Sequence, residues 1–135
     1  MGTTALLIMG GGALGALLRF ILDRTLLSVQ LDSAAKGKRV PAFSTGILFA
    51  NLFGSFLLGL FTVALSVGVM SDNGYAIWGV GLCGAFTTFS TFSSDVVRML
   101  KSGDYTAAGL CVALNFAVCV CCILLGTALG RLLKR

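Results

Sequence analysis

Apolar residues fill four long stretches of this chain, about 4–22, 43–70, 75–100 and 105–133, and short polar segments separate them. A helix that crosses a membrane takes about 20 predominantly apolar residues. The pattern therefore predicts four transmembrane helices in one integral membrane domain spanning residues 1–135. Barrel strands would alternate apolar and polar positions, and these runs do not. The second run is longer than the hydrocarbon layer requires, which implies tilt or protrusion. The first begins almost at the start, without the basic segment and small-residue cleavage site of a signal peptide, and reads as a retained span. Asp23 to Pro41 reads as a connection holding Asp23, Arg24, Asp32, Lys36, Lys38 and Arg39, with Leu26 to Leu31 suited to the membrane interface. Ser71, Asp72, Asn73 and Gly74 read as a tight turn.

Composition agrees with this pattern and narrows the chemistry. The 135 residues are 57% hydrophobic and 11% charged, with a mean hydropathy of +0.99, against about 25% charged in a soluble domain. The chain has no His and no Glu, and its Asp residues (Asp23, Asp32, Asp72, Asp95 and Asp104) are scattered near the ends of the apolar runs. The usual general bases are missing, which argues against an enzyme. The net charge of +5 comes from Lys and Arg in connections or at span ends, where basic side chains favour lipid headgroups; it does not point to nucleic acid. Arg19, Arg24, Lys36, Lys38, Arg39, Arg98 and Lys101 would share one side of the membrane, and Arg131, Lys134 and Arg135 the other. Taken alone, that bias puts both termini outside. Cys111, Cys119, Cys121 and Cys122 lie inside the last apolar run, where thiols behave as small hydrophobes.

Three polar constellations interrupt the apolar runs. In the first, Gly10-Gly11-Gly12-Ala13-Leu14-Gly15-Ala16-Leu17-Leu18-Arg19-Phe20, the pair Gly11/Gly15 presents a small face for close helix packing. Arg19 either snorkels to the interface or stands at the entrance of an anion path. In the second, Gly46 to Gly59, Asn51 lies well inside the run; its amide must face another helix or water, as glue between helices or as a donor to a passing anion. The third, Gly81-Leu82-Cys83-Gly84-Ala85-Phe86-Thr87-Thr88-Phe89-Ser90-Thr91-Phe92-Ser93, places glycines before a Ser and Thr cluster halfway along a span. Such a pattern predicts a discontinuous helix whose freed carbonyls suit a cation and whose N–H groups and hydroxyls suit an anion. Phe89 and Phe92 share one face; the pair is either core packing or two ring edges, partially positive, aimed into a pore.

These three strings, in this order and over nearly the whole chain, resemble the Fluc (CrcB-type) fluoride channel family. The resemblance implies an all-α membrane protein with four transmembrane helices, the third broken mid-membrane, in an antiparallel dual-topology homodimer with two pores. It implies a multi-pass protein of the cell inner (plasma) membrane that exports fluoride passively and protects against fluoride toxicity. It places Phe89, Phe92 and Asn51 in the fluoride pore, Ser90 and Thr91 on a polar track beside it, and Arg19 in the vestibule. It assigns a structural Na+ to the main-chain carbonyls of Gly84 and Thr87. Departures from the family pattern are Cys111 and Asn115 where relatives often show Tyr and Ser, Asp95 where they often carry Glu, and a longer, more basic first connection.

Two other readings fit the size of the chain. A small multidrug exporter with four spans would couple efflux to protons through a carboxylate deep in a span, and Asp95 is the nearest candidate. A non-transporting assembly subunit would explain the small-residue pairs Gly11/Gly15 and Gly126/Gly130 but leaves the polar break without purpose.

Overall fold

The computed structural model describes residues 2–134, so Arg135 lies outside the described residues. Helix α1 spans Gly2–Ala35, α2 Thr45–Ser66, α3 Asp72–Tyr75, α4 Gly84–Phe86, α5 Phe89–Lys101 and α6 Tyr105–Leu133, with a π-helical stretch, Ala76–Cys83, joining α3 to α4. No strand occurs among the described residues. Three helices, α1, α2 and α6, are long and apolar enough to cross a membrane, with mean hydropathies of 2.0, 2.0 and 2.6 over their best windows. The third apolar run is instead divided at Thr87 and Thr88 into two halves, as the glycine and hydroxyl pattern predicts.

Helix α1 corrects one expectation. It runs through Asp23 and on to Ala35 where the sequence suggests a connection. Nothing between Gly15 and Gly37 breaks a helix: the Thr25 and Ser28 hydroxyls donate to the carbonyls of Ile21 (2.8 Å) and Thr25 (2.7 Å), staying inside the helix. At 34 residues and 1.5 Å per residue the helix is about 51 Å long, against a hydrocarbon layer of about 30 Å. It stops at Gly37, whose φ of +73° places it in the left-handed region. The Gly37 N–H then donates to the Ala34 carbonyl at 2.9 Å and the Lys38 N–H to Ser33 at 3.0 Å, a Schellman end. The same pair of bonds ends α2 at Gly68 and α5 at Gly103.

The turn expected at Ser71 to Gly74 falls slightly earlier. Residues 67–70 make the reversal, while the Ser71 hydroxyl accepts from the Gly74 N–H at 3.2 Å and caps α3. Helix α2 begins the same way, with Ser44 capping Ile47, and α6 begins at the Asp104 carboxylate, which accepts from Ala107 at 3.0 Å.

Two seams organise the helices. Helix α1 lays Gly11 and Gly15 against the Ile77 and Leu82 carbonyls of the π-helical stretch, and a Cβ on either glycine would collide with that backbone. Helices α2 and α6 meet through Gly59 and Gly126, each packed on a carbonyl of the other helix, Ile123 and Phe56 respectively. Helix α5 is held differently. It is amphipathic, and Met99, Phe92 and Val96 pack with Phe43, Ala108 and Cys111 at one end of the bundle.

Candidate functional site

The break is stitched by side chains from two other helices. Thr87 and Thr88 are extended, with ψ of 155° and 122°. Thr87 stays tied to the preceding turn, its N–H and hydroxyl both donating to the Cys83 carbonyl, at 3.0 and 2.9 Å. In an uninterrupted helix the Thr88 N–H would donate to the Gly84 carbonyl and the Thr91 N–H to the Thr87 carbonyl. Here the Thr88 N–H donates to Asn51 Oδ1 at 2.7 Å, and the Thr91 N–H to the Thr88 hydroxyl at 3.3 Å, which caps α5. The break thus takes the helical donors away from the Gly84 and Thr87 carbonyls. Gly84 is exposed, with open space where a Cβ would stand.

Asn51 is buried, 8% exposed, and also donates from Nδ2 to the Thr88 carbonyl at 3.2 Å and to Asn115 Oδ1 at 3.0 Å. Asn115 in turn donates to the Cys111 carbonyl at 3.1 Å. Asn51 thereby joins α2 to the break and to α6 while lining the groove beside the break. Arg19 is half-buried, and its Nε donates to the Ala85 carbonyl at 3.2 Å, so its charge sits at the C-terminal end of the first half-helix.

An open groove of about 690 Å³ runs beside the break. Its walls come from α2 (Asn51, Ser55), the break (Thr87, Thr88), α5 (Phe89, Phe92, Ser93) and α6 (Asn115, Phe116, Cys119). Phe89 and Phe92 stand 5.5 Å apart, centroid to centroid, with ring planes at 54°. Phe89 is 78% exposed, so it is not core packing within this chain.

The structure brings Asn51, Thr87, Phe89 and Phe92 to the groove and separates the other expected site residues from it. Ser90 is exposed, with its hydroxyl 3.1 Å from that of Thr88. Thr91 lines a smaller pocket of about 290 Å³ with Asp23, Gln30, Ser44, Asp95 and Arg98. There Asp95 accepts from the Ser44 N–H at 2.9 Å and from Arg98 at 2.7 Å, and the Ser44 hydroxyl donates to Asp23. Arg19 faces α4. Ser55, Thr88, Ser93, Asn115 and Phe116 line the groove without having been singled out as site residues. For Asn115 the signal was available, since an amide deep in an apolar run needs a partner as Asn51 does.

The fold and the groove define an all-helical integral membrane protein with a broken helix and, beside the break, a largely apolar groove carrying a few polar side chains. Residues 6–127 match the model of the family described as CrcB-like protein, Camphor Resistance (CrcB), and the chain belongs to that family. It is 38% identical over 119 residues to the fluoride-specific ion channel FluC of Shewanella woodyi, covering 88% of this chain and 89% of that one. It is 36% identical over 124 residues to proteins of the same name from Shewanella oneidensis and Shewanella sp. strain ANA-3, covering 92% of this chain and 93% of each of them.

Proposed function

We propose that this protein is a passive fluoride channel that exports the ion from the cytoplasm, protects against fluoride toxicity and works as an antiparallel pair of four-span subunits enclosing two pores. One observation carries the reading: a largely apolar groove beside a broken helix, with an aromatic pair and a few polar side chains on its walls, stands open on the side where Phe89 is exposed. A second copy closes that groove into a pore. A single bundle of this size has little interior, and a pore through it would have to replace its core. Sharing the pore between subunits removes the conflict.

Within the pore, the rims of the Phe89 and Phe92 rings carry partial positive charge and meet the anion edge-on. Hydroxyls of the break and of α5 supply hydrogen bonds in place of water. Fluoride leaves down the membrane potential, at about 2.3 kcal/mol per charge per 100 mV, with no coupled ion. Asp95, the carboxylate that a proton-coupled exporter would need, is already engaged by the Ser44 N–H and Arg98.

The Gly84 and Thr87 carbonyls would hold a structural Na+. Their chemistry fits it: two hard oxygen donors, one at the start of the last turn before the break and one in the break itself, have had their helical N–H partners diverted to Asn51 and Thr88. When bound between two copies, such an ion supplies a fixed positive charge that favours anions nearby. Fluoride efflux from liposomes loaded with the ion and carrying the purified protein, read with a fluoride electrode, tests the reading. Release well above that of protein-free liposomes is expected; efflux equal to theirs refutes it. Labelling the Asp32 to Pro41 segment from both faces of the membrane tests the antiparallel arrangement, and labelling from one face only excludes it.

A further inference from the structure

The amides of Asn51 and Asn115 form a chain whose direction is set at one end. The Thr88 N–H can only donate, so the Asn51 atom 2.7 Å from it is the oxygen. That turns the Asn51 NH2 group toward the Thr88 carbonyl (3.2 Å) and Asn115 (3.0 Å). An NH2 group needs an acceptor, so Asn115 presents Oδ1 and turns its own NH2 back to the Cys111 carbonyl at 3.1 Å. Both amide hydrogens of Asn51 are then engaged.

We propose that Asn115 is a positioning residue: it fixes the orientation of Asn51, which holds Thr88 extended and so sets the geometry of the break. The consequence for conduction rests on the fluoride-channel reading; the clamp itself does not. Removing the Asn115 acceptor leaves a buried amide hydrogen of Asn51 unpaired, a loss worth about 1–3 kcal/mol, or roughly tenfold or more in an equilibrium.

The test compares wild type, Asn115→Leu and Asn115→Asp. It reads amide hydrogen exchange of the break and fluoride efflux from liposomes. In Asn115→Leu, exchange at the break should quicken by about tenfold while α2 stays protected, and efflux should fall by about as much. A protonated Asp at this position reproduces the amide pattern, its carbonyl accepting from Asn51 and its O–H donating to Cys111. The ionised form loses that donor and adds a negative charge beside the anion path. Either form still accepts from Asn51, so Asn115→Asp should keep the break protected near the wild-type level at every pH while efflux falls as the carboxyl ionises, and it decides the matter if Asn115→Leu does not fold. Wild-type exchange at the break in Asn115→Leu, or exchange quickened about tenfold at the break in Asn115→Asp, overturns the proposal. Because exchange is read without fluoride, a wild-type protein that releases none refutes the channel while leaving the clamp to be judged on its own.

Discussion

The α2–α6 seam and the α2–α5 contact across the break hold helices together by opposite means. At the seam, Gly59 and Gly126 bring two backbones so close that a single Cβ would strike a carbonyl. Dispersion over a long apolar surface does the work there. At the break, helix α5 makes few close approaches to α2. The joint is instead a set of directed hydrogen bonds from Asn51 to both the N–H and the carbonyl of Thr88. Small residues close space, whereas amides hold backbone apart at a fixed geometry. The chain uses the first to build a rigid frame and the second to keep a groove open inside it.

Substitutions in the two regions should separate these roles. The largest effect is expected at the seam: Gly126→Val forces a branched side chain against the Phe56 carbonyl and the Leu60 N–H. Overpacking of this kind costs about 1–3 kcal/mol or more, and with backbone as the obstacle the helices must part. Size-exclusion profiles and thermal melts in detergent should show little native protein. Next comes Asn51→Leu, which strips the Thr88 N–H and carbonyl of their partners. With each buried group left unpaired at about 1–3 kcal/mol, fluoride efflux should fall about a hundredfold or more, while crosslinks between α2 and α6 still form.

A smaller loss is expected from Phe89→Ile, whose side chain is exposed on the groove. The ring edge is worth about 0.5–1.5 kcal/mol, so efflux should drop by about two- to tenfold with no change in the melting temperature; wild-type efflux would remove this ring from the pore. The smallest effect belongs to neither region. Lys36→Ala breaks an exposed ion pair with Asp32 at the end of α1. Such a pair contributes about 0.2–1 kcal/mol at most, and both efflux and melting temperature should stay within error.

Much of the break was legible in the sequence, because Gly84 followed by Thr87, Thr88 and Ser90 leaves a mid-span helix poorly supported and offers its own caps. Asn51 announced itself as an amide in hydrocarbon. The length of α1 was not legible in the same way. Asp23 and Arg24 mark the edge of the apolar run, but charge does not end a helix, and α1 goes on until Gly37 can adopt a left-handed turn. Arg19, read as either an interfacial or an entrance residue, donates to the Ala85 carbonyl, a partner distant in sequence that no local pattern reveals. Thr91 shares its stretch of sequence with Phe89 and Phe92, yet faces the smaller pocket with Asp95. One turn of helix points neighbouring residues to different sides.

The sequence by itself determined that this chain is helical, lies in a membrane and carries a broken helix, since those properties follow from local hydropathy, backbone satisfaction and capping. Tertiary structure alone decided which partner each polar group meets. A hydrogen bond from Asn51 to Thr88, from Arg19 to Ala85 or between Asn51 and Asn115 depends on which helix lies opposite and at what height. Those heights are set by glycines packed on carbonyls elsewhere in the bundle.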